Sequence, residues 1–80
     1  MTVKQHLINF LNYHLIHKMK FKTHDLQDLS IRGLQRFGKR LGSPETYTRQ
    51  FRDLKKDMFI IDKIKSKGNE ATWLVRSKDD

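Results

Sequence analysis

The run from Gly42 to Arg76 constrains the fold more than any other part of the chain. Gly42-Ser43-Pro44-Glu45 combines four helix-start signals: a breaker, an N-cap, proline at the first helical position and an acid in the first turn. Tyr47, Phe51, Leu54 and Met58 then recur at i, i+4, i+7 and i+11, so 44–57 reads as an amphipathic helix. After Lys56-Asp57 the composition changes at once. Phe59-Ile60-Ile61-Asp62-Lys63-Ile64-Lys65 is rich in β-branched and aromatic residues. Ser66-Lys67-Gly68-Asn69 reads as a turn, with Gly68 and Asn69 able to take positive φ, and Glu70-Ala71-Thr72-Trp73-Leu74-Val75-Arg76 as the return strand of a hairpin. Ser77 to Asp80 read as a frayed, charged end.

Upstream, Val3, Leu7, Phe10, Leu11 and His14 share one face of a helix over 3–17, Ile8 and Leu15 widen that face, and Thr2 can cap it. Lys18, Lys20 and Lys22 alternate with Met19 and Phe21, a period of two that suggests a short edge strand. Thr23 precedes a capped short helix over 24–29, with Leu26 and Leu29 inward and Asp25 in the first turn, where the helix dipole favours it. Ser30 and Gly33 weaken helical continuity, and Leu34, Phe37 and Leu41 then resume it. The spacing therefore predicts two helical pieces, 24–29 and about 33–41. The expected core joins Leu7, Phe10, Leu11, Leu26, Leu29, Leu34, Phe37, Leu41, Tyr47, Phe51, Leu54, Ile60 and Trp73.

Eighty residues make one small domain, 1–80, with an ordered core of about 3–76, and leave little room for a deep substrate pocket. There is no Cys, hence no disulfide framework and no cysteine-based zinc site, which is compatible with a cytoplasmic location. No apolar run approaches the roughly 20 residues of a membrane span. Residues 1–24 lack acids as a presequence does. They also lack Arg and Ser, and their apolar positions fit a core helix, so they read as mature protein. The formal net charge is +8 and the pI about 10.1, which favours a polyanionic partner: DNA, RNA or an anionic membrane surface. The charge is interleaved with apolar residues at structural spacing and so decorates a folded surface.

The order helix, extended piece, helix, helix, hairpin resembles the winged helix-turn-helix family over about residues 3–76. The run Gly42 to Asp57 looks like its recognition helix, and Lys67-Gly68-Asn69 with Thr72-Trp73-Leu74-Val75 is similar to a wing and its return strand. The resemblance implies an α+β winged-helix fold that binds double-stranded DNA. In that family the third helix enters the major groove and the wing touches the backbone or minor groove. Such tiny stand-alone versions are typical of bacteria, archaea and their viruses. A transcriptional or other DNA-transaction role follows, with a nucleoid association when bound. The stretch 30–42 departs from the pattern, being longer than the tight turn between helices in simple members.

The candidate DNA contacts are Lys39, Arg40, Ser43, Thr46, Arg49, Arg52, Lys56, Lys65 and Lys67. On a wheel of about 100° per residue, Glu45, Arg49, Arg52, Asp53 and Lys56 lie opposite the apolar stripe of 44–57. Arg can fork onto guanine O6 and N7, while Lys mostly meets phosphate. The alternative is a solvated face on which Arg49 and Asp53, an i, i+4 pair, satisfy each other. Ser43, Thr46 and Tyr47 open the helix, where backbone N–H groups can receive a phosphate and Lys39 and Arg40 can add charge. Ser43 is in any case a cap, and Tyr47 belongs to the core. Lys63, Lys65 and Lys67 make a basic wing, suited to backbone contact or to guarding an edge strand. Trp73 reads as core, since a stacking platform would need it exposed.

His14 and His17 are spaced i, i+3 and would need His24 or Asp25 to complete a metal site. No HExxH is present, and ordinary histidines explain them, so no metal and no cofactor is expected. No glycine-rich phosphate loop, nucleophile elbow or paired-carboxylate motif occurs, which argues against an enzyme. Two other readings stay open: a winged-helix module that binds a protein partner, and an RNA-binding module. The chain is expected as a monomer or a homodimer, the latter if the long first helix pairs with its mate.

Overall fold

The computed structural model describes residues 1–57, 59–68 and 70–76, and of Lys56 the backbone only. The expectations for Met58, Asn69, 77–80 and the Lys56 side chain lie outside these described residues. The chain runs α1 (Val3–His17), β1 (Lys20–Lys22), α2 (Thr23–Phe37), α3 (Pro44–Asp57), β2 (Ile60–Lys67) and β3 (Glu70–Arg76). It is an α+β fold of three helices and a three-stranded antiparallel sheet in the order β1-β3-β2. No helix among the described residues is long and apolar enough to cross a membrane.

Local chemistry accounts for most of the boundaries. Thr2 and Gln5 cap α1 reciprocally: Gln5 N–H donates to Thr2 Oγ1 at 3.2 Å and Thr2 N–H to Gln5 Oε1 at 3.0 Å. Lys18 ends that helix in the left-handed region at φ 53°, which turns the chain into β1. As expected, β1 is an edge strand. Its Phe21 is buried, while Lys20 and Lys22 face solvent. Pairing of Phe21 with Trp73 fixes its register on β3. At the start of α2, Lys22 N–H donates to Asp25 Oδ2 at 2.9 Å.

The second helix departs from the expected break. It is continuous from Thr23 to Phe37 and stops there because Gly38 takes φ 76°, with its N–H donating to the Leu34 carbonyl at 3.0 Å. Ser30 and Gly33 are packing residues rather than breakers. The buried Ser30 hydroxyl donates to the Gly42 carbonyl at 2.6 Å, tying mid-α2 to the start of α3. Gly33 faces His6 and Tyr47, both 3.6 Å from where its Cβ would be. On the continuous helix Leu26, Leu29, Gly33 and Phe37 share a face. Leu34 is therefore turned outward at 44% exposure, contrary to its expected place in the core. Leu41 lies in the loop after α2, half-buried against the core, as is Phe10.

In the hairpin the strand phase differs from expectation by one residue. Ile61, not Ile60, is buried and pairs with Val75. A bulge follows: Lys63 pairs with Trp73 but Lys65 pairs with Thr72, so Ile64 is the extra residue and is exposed. The bulge reverses the side on which later side chains fall. Lys63 shares the inner face with Ile61 and Trp73, whereas Lys65 and Lys67 turn outward, Lys65 beside Thr72. The inner face packs on the helices through Leu7, Leu11, Phe21, Leu26, Leu29, Tyr47, Phe51, Leu54, Phe59, Trp73 and Val75.

Candidate nucleic-acid interface

Ser43 caps α3 as expected, accepting the Thr46 N–H at 3.3 Å. The Ser43 and Thr46 hydroxyls lie 3.0 Å apart, and Tyr47 N–H donates to the Ser43 carbonyl at 3.2 Å. Thr46 and Tyr47 therefore spend their backbone donors on Ser43, and Pro44 has none. Of the first-turn donors only Glu45 N–H is left for a phosphate. Lys39 and Arg40 are exposed in the loop ahead of this end.

Glu45, Arg49, Arg52 and Asp53 are exposed on the side of α3 away from the Tyr47–Phe51–Leu54 stripe. The expected internal pairing does not form: no ion pair joins Arg49 to Asp53, and among the described residues neither Arg49 nor Arg52 has a carboxylate within 4.0 Å. Thr48, Arg52 and Lys55, spaced i, i+4 and i+7, make a second line along α3 that faces the hairpin. Between them and Lys63, Ser66 and Gly68 runs an open groove of about 580 Å³, floored by Leu26, Phe51, Ala71 and Trp73. The groove joins Arg52 to the hairpin in one surface. Lys65 and Lys67 are exposed on the opposite sheet face, Lys67 at the turn.

Lys55 and Lys63 line this groove and meet on its Trp73 floor. Their Nζ atoms lie over the Trp73 ring at 4.8 and 5.4 Å from its centroid. The i, i+4, i+7 spacing from Thr48 to Lys55 is a signal that could have found Lys55. For Lys63 the deciding feature is the bulge, which the residue pattern does not announce. Trp73 is buried as expected, with its indole N–H donating to Thr23 Oγ1 at 3.2 Å. That hydroxyl also accepts the Ala71 N–H at 3.3 Å, so α2 is pinned to β3 beneath the groove.

No family model, curated protein or solved structure matches this chain. The surface is therefore read from its own chemistry. Among the described residues Glu70 is the one acid that lines the groove, and it is engaged: the His24 N–H donates to Oε1 at 3.2 Å and His24 Nδ1 lies 3.1 Å from the same oxygen. The backbone hydrogen bond is the largest cause that holds Glu70 below its ordinary carboxylate range. On the outer face of the sheet, Arg76 and Asp62 pair between β3 and β2 at 2.7 Å.

The histidines sort differently from the expected metal geometry. His14 Nδ1–H donates to the Phe10 carbonyl at 2.8 Å, so that nitrogen is committed to its own helix. Among the described residues, the group whose donor atoms come within 4.8 Å of one another is His24, Asp25 and Asp28, at the start of α2. Two of its members already have partners, His24 in Glu70 and Asp25 in the Lys22 N–H. A second groove of about 480 Å³ runs between α1 and α2, lined by Phe10, Tyr13, Leu29, Arg32 and Arg36 among others.

Proposed function

We propose that the protein binds double-stranded DNA as a winged-helix module and acts as a small regulator of transcription or another DNA transaction. In this reading α3 enters the major groove, Arg49 and Arg52 reach base edges or phosphates, and the hairpin tip at Lys67 meets the backbone or minor groove. The observation that supports it most directly is the outward face of α3. An exposed helix that presents two arginines with no carboxylate partner among the described residues offers ten N–H donors to a ligand. The net charge of +8 supplies the long-range attraction.

A labelled random-sequence duplex, titrated at several salt concentrations, tests the reading. Log K should fall with log[salt] at about −0.9 per phosphate neutralised, with roughly four to seven such contacts. A slope near zero, or no binding at low salt, overturns it. A second reading, a surface for a protein partner, is favoured by exposed Tyr13 and Ile16 on α1, at 51% and 73% exposure. That reading predicts no duplex binding at about 150 mM salt.

A further inference from the structure

The groove between α3 and the hairpin carries a finer reading, which rests on the duplex-binding proposal. Its floor is rigid: Trp73 is held by Thr23 at 3.2 Å and meets Phe51 edge-on at 5.3 Å between ring centroids. Two ammonium groups converge on this one ring from different elements, Lys55 of α3 at 4.8 Å and Lys63 of β2 at 5.4 Å. Arg52 adds a third cation to the same groove. Glu70, the one acid in its lining among the described residues, is taken up by His24. Among the described residues no carboxylate lies within 4.0 Å of Arg52, Lys55 or Lys63. An anion seated here would bridge α3 to the hairpin.

We infer that this groove seats one backbone phosphate of the duplex between Lys55 and Lys63. Phosphate, rather than a base edge, follows from the donors. An ammonium group is a point charge without the planar fork that reads guanine. A phosphate shared by two lysines also differs countably from two separate contacts. Its neutralisation releases one phosphate's worth of counterions, not two.

The test uses the full chain, a fluorescein-labelled duplex read by anisotropy, and in parallel an unlabelled duplex read by emission of Trp73, the single tryptophan. The expected results are that duplex changes Trp73 emission with the same midpoint as the anisotropy, and that the salt slope of K55Q/K63Q is shallower by about 0.9. Both lysines are exposed, so the pair should keep the wild-type melting temperature. K55M/K63M, which keeps the aliphatic stems on Trp73, should give the same slope change. A change of about 1.8 would mean two separate phosphates. That result, no change of slope, or duplex binding without a Trp73 response each overturns the proposal. So does saturation of the Trp73 signal by micromolar inorganic phosphate with no response to duplex. If wild type binds and R49A weakens it while K55Q/K63Q keeps the wild-type slope, the phosphate seat fails and the DNA reading stands. If wild type binds no duplex, both fail.

Discussion

His6 and Tyr47 show how one pair of side chains can join all three helices. Tyr47 is fully buried on α3, His6 is buried on α1, and His6 Nδ1 lies 2.7 Å from the Tyr47 hydroxyl. Gly33 of α2 closes over both rings. Burial, then the positive charge of Arg36, lowers the His6 pKa from its ordinary value near 6.5, and burial raises that of Tyr47. The native state therefore holds fewer protons on His6 than the unfolded chain does below about pH 6.5. The stability associated with neutral His6 is present above that pH and is lost as pH falls through the window toward the lower folded value. A urea midpoint that drops between pH 7.5 and 5, and drops less in His6→Gln, is the expected result. A midpoint flat across that range would refute it. Tyr47→Phe removes the partner of a buried imidazole nitrogen and should cost about 1–3 kcal/mol. Phe51→Ala, which opens a cavity between Phe21 and Trp73, should cost about 3–5 kcal/mol. Calorimetric or denaturant unfolding of each variant measures these costs.

At the scale of elements, two glycines with the same composition signal have opposite tolerances. A Cβ on Gly33 would meet His6 and Tyr47 at 3.6 Å, an ordinary contact, inside a helix where glycine is about 1 kcal/mol worse than alanine. Gly33→Ala should therefore raise the melting temperature by a few degrees. A Cβ on Gly42 would lie 2.7 Å from Val3 Cγ2 and 3.3 Å from Thr46, so Gly42→Ala must displace the start of α1 or α3 and should lower stability by about 1–3 kcal/mol. Melting curves that rank the two alike would contradict this geometry. The same residues explain which elements were legible in the sequence. α1 and α3 have caps and apolar periods that act locally, and they stand where those signals put them; the hairpin forms as expected, but Ser66 and Lys67, expected in the turn, extend β2, and its phase is shifted by one residue. The continuity of α2 was not legible. Local propensity at Ser30 and Gly33 argues for a break, but a hydrogen bond to Gly42 and the fit against His6 and Tyr47, both long-range, override it. The bulge at Ile64 was hidden for a related reason. Ile61 and Ile64 stand three apart, off the period of two, but only the pairing with β3 shows Ile64 to be the extra residue. Of the site, Arg49 and Arg52 were readable from helical spacing, whereas Lys63 beside Trp73 depended on that bulge.

For the whole molecule, the bulge divides the hairpin's positive charge between two surfaces. Lys63 joins Arg52 and Lys55 in the groove on the helical side. Lys65 turns outward opposite Thr72, which pairs with Lys22 on its other side, so Lys22 and Lys65 share the sheet's outer face. A duplex docked on α3 lies along the helical side and past the hairpin tip. The relevant variable is then a lysine's distance from the tip rather than its presence in the strand. Lys67 adjoins Gly68, whose φ of 62° closes the turn, so it stands exposed at the end of the sheet, where a phosphate passing the tip is within reach. Lys65 is set back within the strand, with the sheet between it and α3. Lys67→Ala should keep the fold, weaken all duplex sequences about equally and make the salt slope shallower by about one unit. Lys65→Ala should leave slope and affinity near wild type, because a screened charge facing away contributes only to long-range attraction. Arg49→Ala provides the contrast: it should cost about 1–3 kcal/mol on a preferred site and relax the choice of base at one position. Binding isotherms for the three variants at four salt concentrations separate these outcomes. If Lys65→Ala reduces the slope as much as Lys67→Ala, the duplex lies across the outer face of the sheet. The docking of α3 in the major groove would then be wrong.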